Sequence, residues 1–222
     1  PVLVIGVTAF ATKISCDVKG GVDKTYETVE RQETGVSRKE EVNLKNKDSF
    51  SILLLGVDTG DQGRTDIWRS DAIMVATVSP EDNKTQIVSI PRDTYMEIVG
   101  YGTFDKINHA YSFGRAAMSM DSLEKYLDIP IDHYAAINLK GIQDLVDAVG
   151  GVTVNNDLAF AVDGTSFDIG QIELNGEEAL AFVRMRYDDP RGDYGRQERQ
   201  RIVIQGIMQK LISINSMTKY QS

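Results

Sequence analysis

Six of the chain's twelve arginines stand between Arg184 and Arg201, and no lysine stands among them. Arginine is the side chain suited to planar, two-point recognition of phosphate, so a stretch with this preference points to phosphate chemistry. Arg184 and Arg186 project to one side only if the chain between them is extended. Arg196 and Gln200 are one helical turn apart, near the start of an expected helix, where free N–H groups also favour anions. Asp188, Asp189, Asp193 and Glu198 offset much of this charge. A purely structural ion-pair network is therefore the competing explanation.

A second group of charges lies earlier. Asp71–Ser79 and Thr85–Ile90 are apolar runs joined by the turn Pro80-Glu-Asp-Asn-Lys84, which predicts an antiparallel hairpin. Pairing centred on that turn sets Asp71 opposite Arg92 or Asp93. A preceding strand, Ser49–Val57, ends in Asp58. If it also lies antiparallel to Asp71–Ser79, then Asp58, Asp71, Arg69 and Arg92 share one rim. Two carboxylates held close need a cation or proton between them. Magnesium fits, because it takes one or two carboxylates together with phosphate oxygens. The bland alternative is a rim of ordinary surface salt bridges.

The elements that must position these groups alternate without a strict strand–helix period, which predicts a mixed sheet flanked by helices. Ile107–Leu127 is expected to be helical, His133–Asn138 a short strand, and Leu139–Val149 an amphipathic helix stopped by Gly150-Gly151. Strand-like pieces follow at Val152–Val154 and Phe167–Leu174. Asn175 with Glu178 forms a capping-box pattern, so a helix is expected to about Val183, and a last one over Gln197–Ile214. The apolar helical stripes, such as Leu123, Leu127, Ile142 and Leu145, read first as plain core.

Bulk properties narrow the function. A net charge of −9 argues against a general nucleic-acid binder and against adhesion to anionic membranes. The single Cys16 forms no internal disulfide, and two histidines make a His-rich zinc site a poor expectation. Pro1–Ala11 is apolar and uncharged but shorter than the roughly 20 residues of a spanning helix. Residues 1–15 are expected to be the end of an N-terminal transmembrane anchor. Residues 16–47 form a polar juxtamembrane segment and linker, with a possible helix at Thr25–Glu33. Residues 48–222 form the catalytic domain.

Taken as an ordered set, several motifs resemble the LytR–CpsA–Psr family of cell-wall enzymes. They are Leu55-Gly-Val-Asp-Thr59, Arg69-Ser-Asp-Ala72, Ser89-Ile-Pro-Arg-Asp-Thr94, Asp105-Lys-Ile-Asn-His-Ala-Tyr111, Gly150-Gly-Val152, Leu174-Asn-Gly-Glu-Glu-Ala179, Val183-Arg-Met-Arg186 and Gly192-Asp-Tyr-Gly-Arg-Gln-Glu-Arg-Gln200. The resemblance implies an α/β fold, an α-β-α sandwich around a central mixed β-sheet, with an apolar cavity for a lipid. It implies a phosphotransferase that moves an anionic glycopolymer, such as wall teichoic acid, from an undecaprenyl-pyrophosphate carrier to peptidoglycan N-acetylmuramic acid. It implies a single-pass membrane protein with its domain outside the cytoplasmic membrane of a Gram-positive-type envelope, and Pro1–Ala11 fits that anchor.

Carried over by residue, the resemblance implies that Asp58 and Asp71 bind Mg2+, or Mn2+ in its place. It implies that Arg69, Arg92, Arg184, Arg186, Arg196 and Gln200 contact the pyrophosphate or head group, with Asp58, Asp71, Arg92 and Arg196 catalytic. Arg199 falls in the same motif, Lys106 in a motif that closes the rim, and Arg191 and Arg201 are left to balance the neighbouring acids. The loop Gly60–Trp68 departs from the family pattern, and Trp68 is a candidate for stacking on a sugar. Asp71, Asp58 and Asp93 are candidates for the general base. Two rival readings use the same residues: a polyprenyl-pyrophosphate-binding module without chemistry, and a pyrophosphatase in which water replaces the sugar hydroxyl.

Overall fold

Strand β1 (Phe50–Val57) is the organising element of the first half. It pairs antiparallel with β2 (Ser70–Ser79) on one side and parallel with β6 (His133–Ile137) on the other. Its run Ser51-Ile-Leu-Leu-Leu-Gly-Val57 is nearly all apolar, with one face buried and the other half-buried. With β3 (Lys84–Ser89) the sheet order is β3-β2-β1-β6, a mixed sheet as expected. These coordinates come from a computed structural model, which describes residues 31, 36–38, 40, 42–43, 46–57, 69–82 and 84–219. Asp58, the loop Gly60–Trp68, Pro1–Ala11 and nearly all of Thr25–Glu33 lie outside the described residues.

The described chain divides into two compact units, Val29–Leu139 and Lys140–Ser222. In the first, helix α1 (Ile107–Leu127) packs its buried residues against the sheet. Leu53, Leu55, Ile73, Val75, Ile107, Met120 and Leu123 belong to one core. The expected continuous helix is broken inside. Gly114 (φ −144°, ψ 25°) and Arg115 (φ 55°, ψ −146°) both leave helical geometry, without a proline to announce it. Before α1 stands a hairpin that the sequence reading lacked: β4 (Tyr95–Ile98) and β5 (Thr103–Lys106). Met96 and Ile98 are buried while Tyr95 and Phe104 are exposed, and Gly100 and Gly102 take positive φ at the turn.

Arg31 and Arg38, from the segment read as a linker, bond to this unit. Arg31 reaches Asp121, Glu124 and the Ile131 carbonyl oxygen, and Arg38 reaches Asp132 and the Ser49 carbonyl oxygen.

In the second unit, α2 (Leu139–Ala148) leads into β7 (Val152–Asn156), which pairs antiparallel with β10 (Gly170–Leu174). The stretch expected as one strand from Phe167 splits, because β8 (Phe160–Val162) and β9 (Thr165–Phe167) form their own hairpin through Asp163-Gly164. Both turn residues have positive φ, the geometry that a two-residue hairpin demands. Phe160, Phe167 and Phe182 pack ring on ring at centroid distances of 4.9–5.5 Å. Helix α3 (Gly176–Arg184) opens with the expected box: Asn175 accepts from the Glu178 N–H, and Glu178 accepts from the Asn175 N–H. Gly176 is required there, because a Cβ would stand 2.4 Å from Asp147 Oδ2. Helix α4 (Asp193–Lys219) begins four residues before the expected Gln197 and packs on β7 and α3.

Candidate active site

The β2–β3 ladder ends at Met74 opposite Ser89, and one further bond runs from Ile90 N to the Ile73 carbonyl oxygen at 2.8 Å. Continuing that register sets Arg92 against Asp71, and the side chains meet: Arg92 Nη1 donates to Asp71 Oδ1 at 2.7 Å. Both are partly exposed. A pair of this kind adds at most about 1 kcal/mol to folding, so its effect is mainly to orient the guanidinium. Arg69 is exposed at the start of β2, beside Ser70, which pairs with Val57 after an irregularity in β1. The C-terminal end of β1 therefore arrives at the Arg69 end of β2.

The chain after Arg92 is tied down closely. The Arg92 and Thr94 carbonyl oxygens accept from the first N–H groups of α1, those of Asn108 and Ile107. Lys106 Nζ donates to Asp93 Oδ1 at 2.7 Å, and His109 Nδ1 lies 2.8 Å from Asp105 Oδ2. The Lys106 bond, with the charges of Lys106 and Arg92, holds the Asp93 carboxyl below its usual range. A carboxylate so stabilised is a weaker base, which counts against Asp93 as proton acceptor. Among the described residues no three His, Cys, Asp or Glu side chains cluster for a metal. Asp71 is the one member of the expected carboxylate pair that is described.

In the second unit, α3 ends at Arg184, and Met185 (φ −55°, ψ 131°) turns the chain extended. Met185 is buried, while Arg184 and Arg186 on either side are exposed. This is the alternation that lets both guanidinium groups point outward. Arg196 lies in the first turn of α4, mostly buried, with its Nη2 2.5 Å from Asp193 Oδ1. One turn further, the buried Oε1 of Gln200 has no hydrogen-bond partner among the described residues.

The remaining arginines of the cluster divide from these by their partners. Arg199 is buried, donates to the Asp189 carboxylate and to the Met185 carbonyl oxygen, and lies over the Phe160 ring. Its place in the motif is thus a packing role. Arg191 bonds to Asp157 and Asp189, and Arg201 to Glu198, so both act as counter-charges. Burial alone would raise the Asp189 carboxyl. The side-chain bonds from Arg191 and Arg199, with the Arg191 N–H, outweigh it and hold the group far below its usual range. Asp189 also explains a glycine of the motif: a Cβ on Gly195 would stand 1.8 Å from Asp189 Oδ2. Reading Asp189 only as a nearby acid missed this part. The signal was the glycine inside a helix start, where glycine is otherwise unfavourable.

Comparison with known proteins gives these positions a context. The model of the LytR_cpsA_psr family matches residues 16–222. The chain belongs to this family. Among family members, the Enterococcus faecalis polyisoprenyl-teichoic acid–peptidoglycan teichoic acid transferase TagU is 56% identical over 220 residues. That alignment spans 99% of this chain and 71% of the relative. The TagU of Bacillus subtilis is 46% identical over 98% of this chain and 69% of its own length. Two solved LytR_cpsA_psr-like structures share the fold. The B. subtilis TagU crystal structure has a TM-score of 0.62 at 47% identity, covering 78% of this chain and 75% of that one. TagT bound to LI-WTA has a TM-score of 0.68 at 34% identity, covering 85% of this chain and 74% of that one. The α/β class with a central mixed sheet, expected from the sequence, agrees with these likenesses.

Proposed function

We propose that this chain transfers a teichoic-acid-type anionic glycopolymer from a polyisoprenyl-pyrophosphate carrier to peptidoglycan, forming a phosphodiester. The observation that carries this reading is the likeness to TagU, which runs through both arginine-bearing halves of the chain at 56% identity. Arg69, Arg92, Arg184, Arg186, Arg196 and Gln200 would bind the pyrophosphate and head group. Guanidinium donors aimed at phosphate oxygens stabilise charge that builds up on the bridging and leaving oxygens.

In the proposed step, a sugar hydroxyl of peptidoglycan attacks the phosphorus next to the glycan. A new P–O bond forms and the pyrophosphate bridge breaks. The lipid monophosphate leaves, and the hydroxyl proton passes to a base. Asp71, Asp58 and Asp93 are the candidates for that base: Asp93 is paired with Lys106 and Asp71 with Arg92, and a carboxylate that holds a metal ion is the poorer base. Asp71 has one oxygen on Arg92 and is partly open, which suits a site holding one or two carboxylates and phosphate oxygens. Asp71 and Asp58 would hold Mg2+, or Mn2+, and the ion would neutralise phosphate charge.

The lipid chain needs a dry channel, and the apolar faces of the fold are its proposed lining. No helix among the described residues is long and apolar enough to cross a membrane. Anchoring through Pro1–Ala11, with the domain outside the cytoplasmic membrane, is part of the same proposal.

Purified protein given a lipid-pyrophosphate-linked glycan, magnesium and a soluble peptidoglycan fragment tests it. Joined glycan–peptidoglycan is the expected product. Phosphorylated glycan released without joining would replace transfer by hydrolysis. Intact donor that stays bound would leave a binding module.

A further inference from the structure

The β4–β5 hairpin carries an aromatic surface outside the residues assigned above to the pyrophosphate and head group. Tyr95 is 68% exposed and Phe104 58% exposed, and their rings lie 6.1 Å apart across the hairpin. At its turn, Tyr101 stacks face to face on Phe113 of α1, centroids 4.0 Å apart and planes within 7°, with both rings still open to solvent. Large exposed aromatics grouped on one small hairpin are a costly surface for a water-soluble unit and mark a place where something binds. The inward residues Met96 and Ile98 already supply the packing that holds the hairpin on α1. The outward rings therefore add nothing to the core.

Two features say what binds. The first is continuity with the rim. Tyr95 is three residues from Arg92 and pairs across the hairpin with Lys106, which closes on Asp93. The strand from Tyr95 to Ile98 is about 10 Å long, so the surface begins within a few residues of Arg92. The second is charge. The cations of the strip are committed: Lys106 to Asp93, Lys125 to Glu97, Arg115 lies over the Tyr111 ring, and His109 sits against Asp105. A phosphate-rich polymer or an anionic membrane would meet paired charges there and no surplus of positive ones. A neutral sugar chain, which offers C–H faces to aromatic rings and hydroxyls to the Tyr95 and Tyr101 oxygens, meets no such mismatch.

We propose that Tyr95, Phe104, Tyr101 and Phe113 form the platform for the neutral glycan strand of the peptidoglycan acceptor, which they align beside the Asp71–Arg92 rim. This rests on the transferase reading for the identity of the acceptor.

The test separates binding from chemistry. Wild-type protein and the double variant Tyr95→Ala/Phe104→Ala are titrated, without donor, with a soluble peptidoglycan oligosaccharide. In parallel, both are assayed for transfer with donor and acceptor varied in turn. Loss of stacking is expected to weaken oligosaccharide binding and raise the acceptor KM by about tenfold or more, with the donor KM unchanged. Tyr95→Phe/Phe104→Tyr, which keeps both rings, is expected to bind as wild type. Circular dichroism and melting of each variant check folding.

Oligosaccharide binding that is unchanged in the double variant overturns the platform. So does a selective rise in donor KM, which would assign the strip to the donor. Loss of binding to neutral lipid vesicles with sugar binding intact would make it a membrane-facing surface instead. Because the titration contains no donor, a protein that binds the oligosaccharide through these rings yet never joins it would refute the transferase reading alone.

Discussion

Arg92 donates to Asp71 at 2.7 Å because the β2–β3 register runs on past the last ladder pair, so turn length, not chance proximity, sets the contact. The pair is partly exposed and contributes little to folding. Arg92→Ala is therefore expected to slow transfer by roughly 100- to 1,000-fold, while the melting temperature moves by no more than a surface substitution usually allows. Rate and melting curve measured on one preparation decide it. Transfer at the normal rate would remove Arg92 from the reaction.

Asp189 lies directly over Gly195, with no room for a methyl group between them. Gly195→Ala must push the carboxylate away from Arg199 and Arg191. Overpacking costs about 1–3 kcal/mol, and disturbing a buried ion pair adds to that. We expect Gly195→Ala to lower the denaturation midpoint strongly. Unfolding in urea at the wild-type midpoint would show that Asp189 shifts freely and that the stack is not tight.

The same carboxyl gives a pH signature. Its folded-state pKa is lowered from 3.8, so the stability it adds is fully present above that value. It is lost as pH falls below 3.8 toward the folded value. The stability difference between wild type and Asp189→Asn should be flat from neutral pH down to about 5, then narrow on further acidification. Melting curves of both proteins across that range measure it. A difference that widens on acidification would contradict the assigned sign.

Much of this was legible from residue types and spacing. The Asp71–Arg92 meeting followed from centring a hairpin on Pro80–Lys84, and Asn175 with Glu178 announced the start of α3. The β4–β5 hairpin was not legible, because its strands are only four residues each and both of their aromatic residues, Tyr95 and Phe104, face water. Those rings weaken the alternation that marks a strand. The break in α1 was hidden for another reason: Gly114 alone is tolerated in helices, and nothing in Arg115 signals a positive φ. Arg199 falls in the same motif as the expected phosphate ligands without a role of its own, because composition cannot separate an arginine facing outward from one locked on Asp189.

The Arg115 backbone suggests a stabilising change. Its φ of 55° with ψ of −146° lies where residues with a Cβ are strained by about 1–3 kcal/mol. Arg115→Gly should relieve that strain. The greater freedom of glycine in the unfolded chain takes back part of it. A net rise in melting temperature of a few degrees is expected. A fall would mean that the contact of the Arg115 guanidinium with the Tyr111 ring outweighs the strain.

Arg31 faces two buried acids on α1, Asp121 and Glu124, and bonds to both at 2.8 and 3.0 Å. Glu124 also accepts from the Ile131 N–H and the Ser37 hydroxyl, and Arg31 itself donates to the Ile131 carbonyl oxygen. Removing the cation leaves two negative charges close together in a poorly solvated place. Arg31→Met should therefore cost about 3–5 kcal/mol, seen as a lower urea midpoint with an unchanged slope. Neutralising the acids should return part of it, so Arg31→Met/Asp121→Asn/Glu124→Gln is expected to unfold later than Arg31→Met alone. If Arg31→Met unfolds with the wild type, Arg31 does not neutralise these acids. If only the triple variant fails to recover, hydrogen bonding, not charge, is what Arg31 contributes.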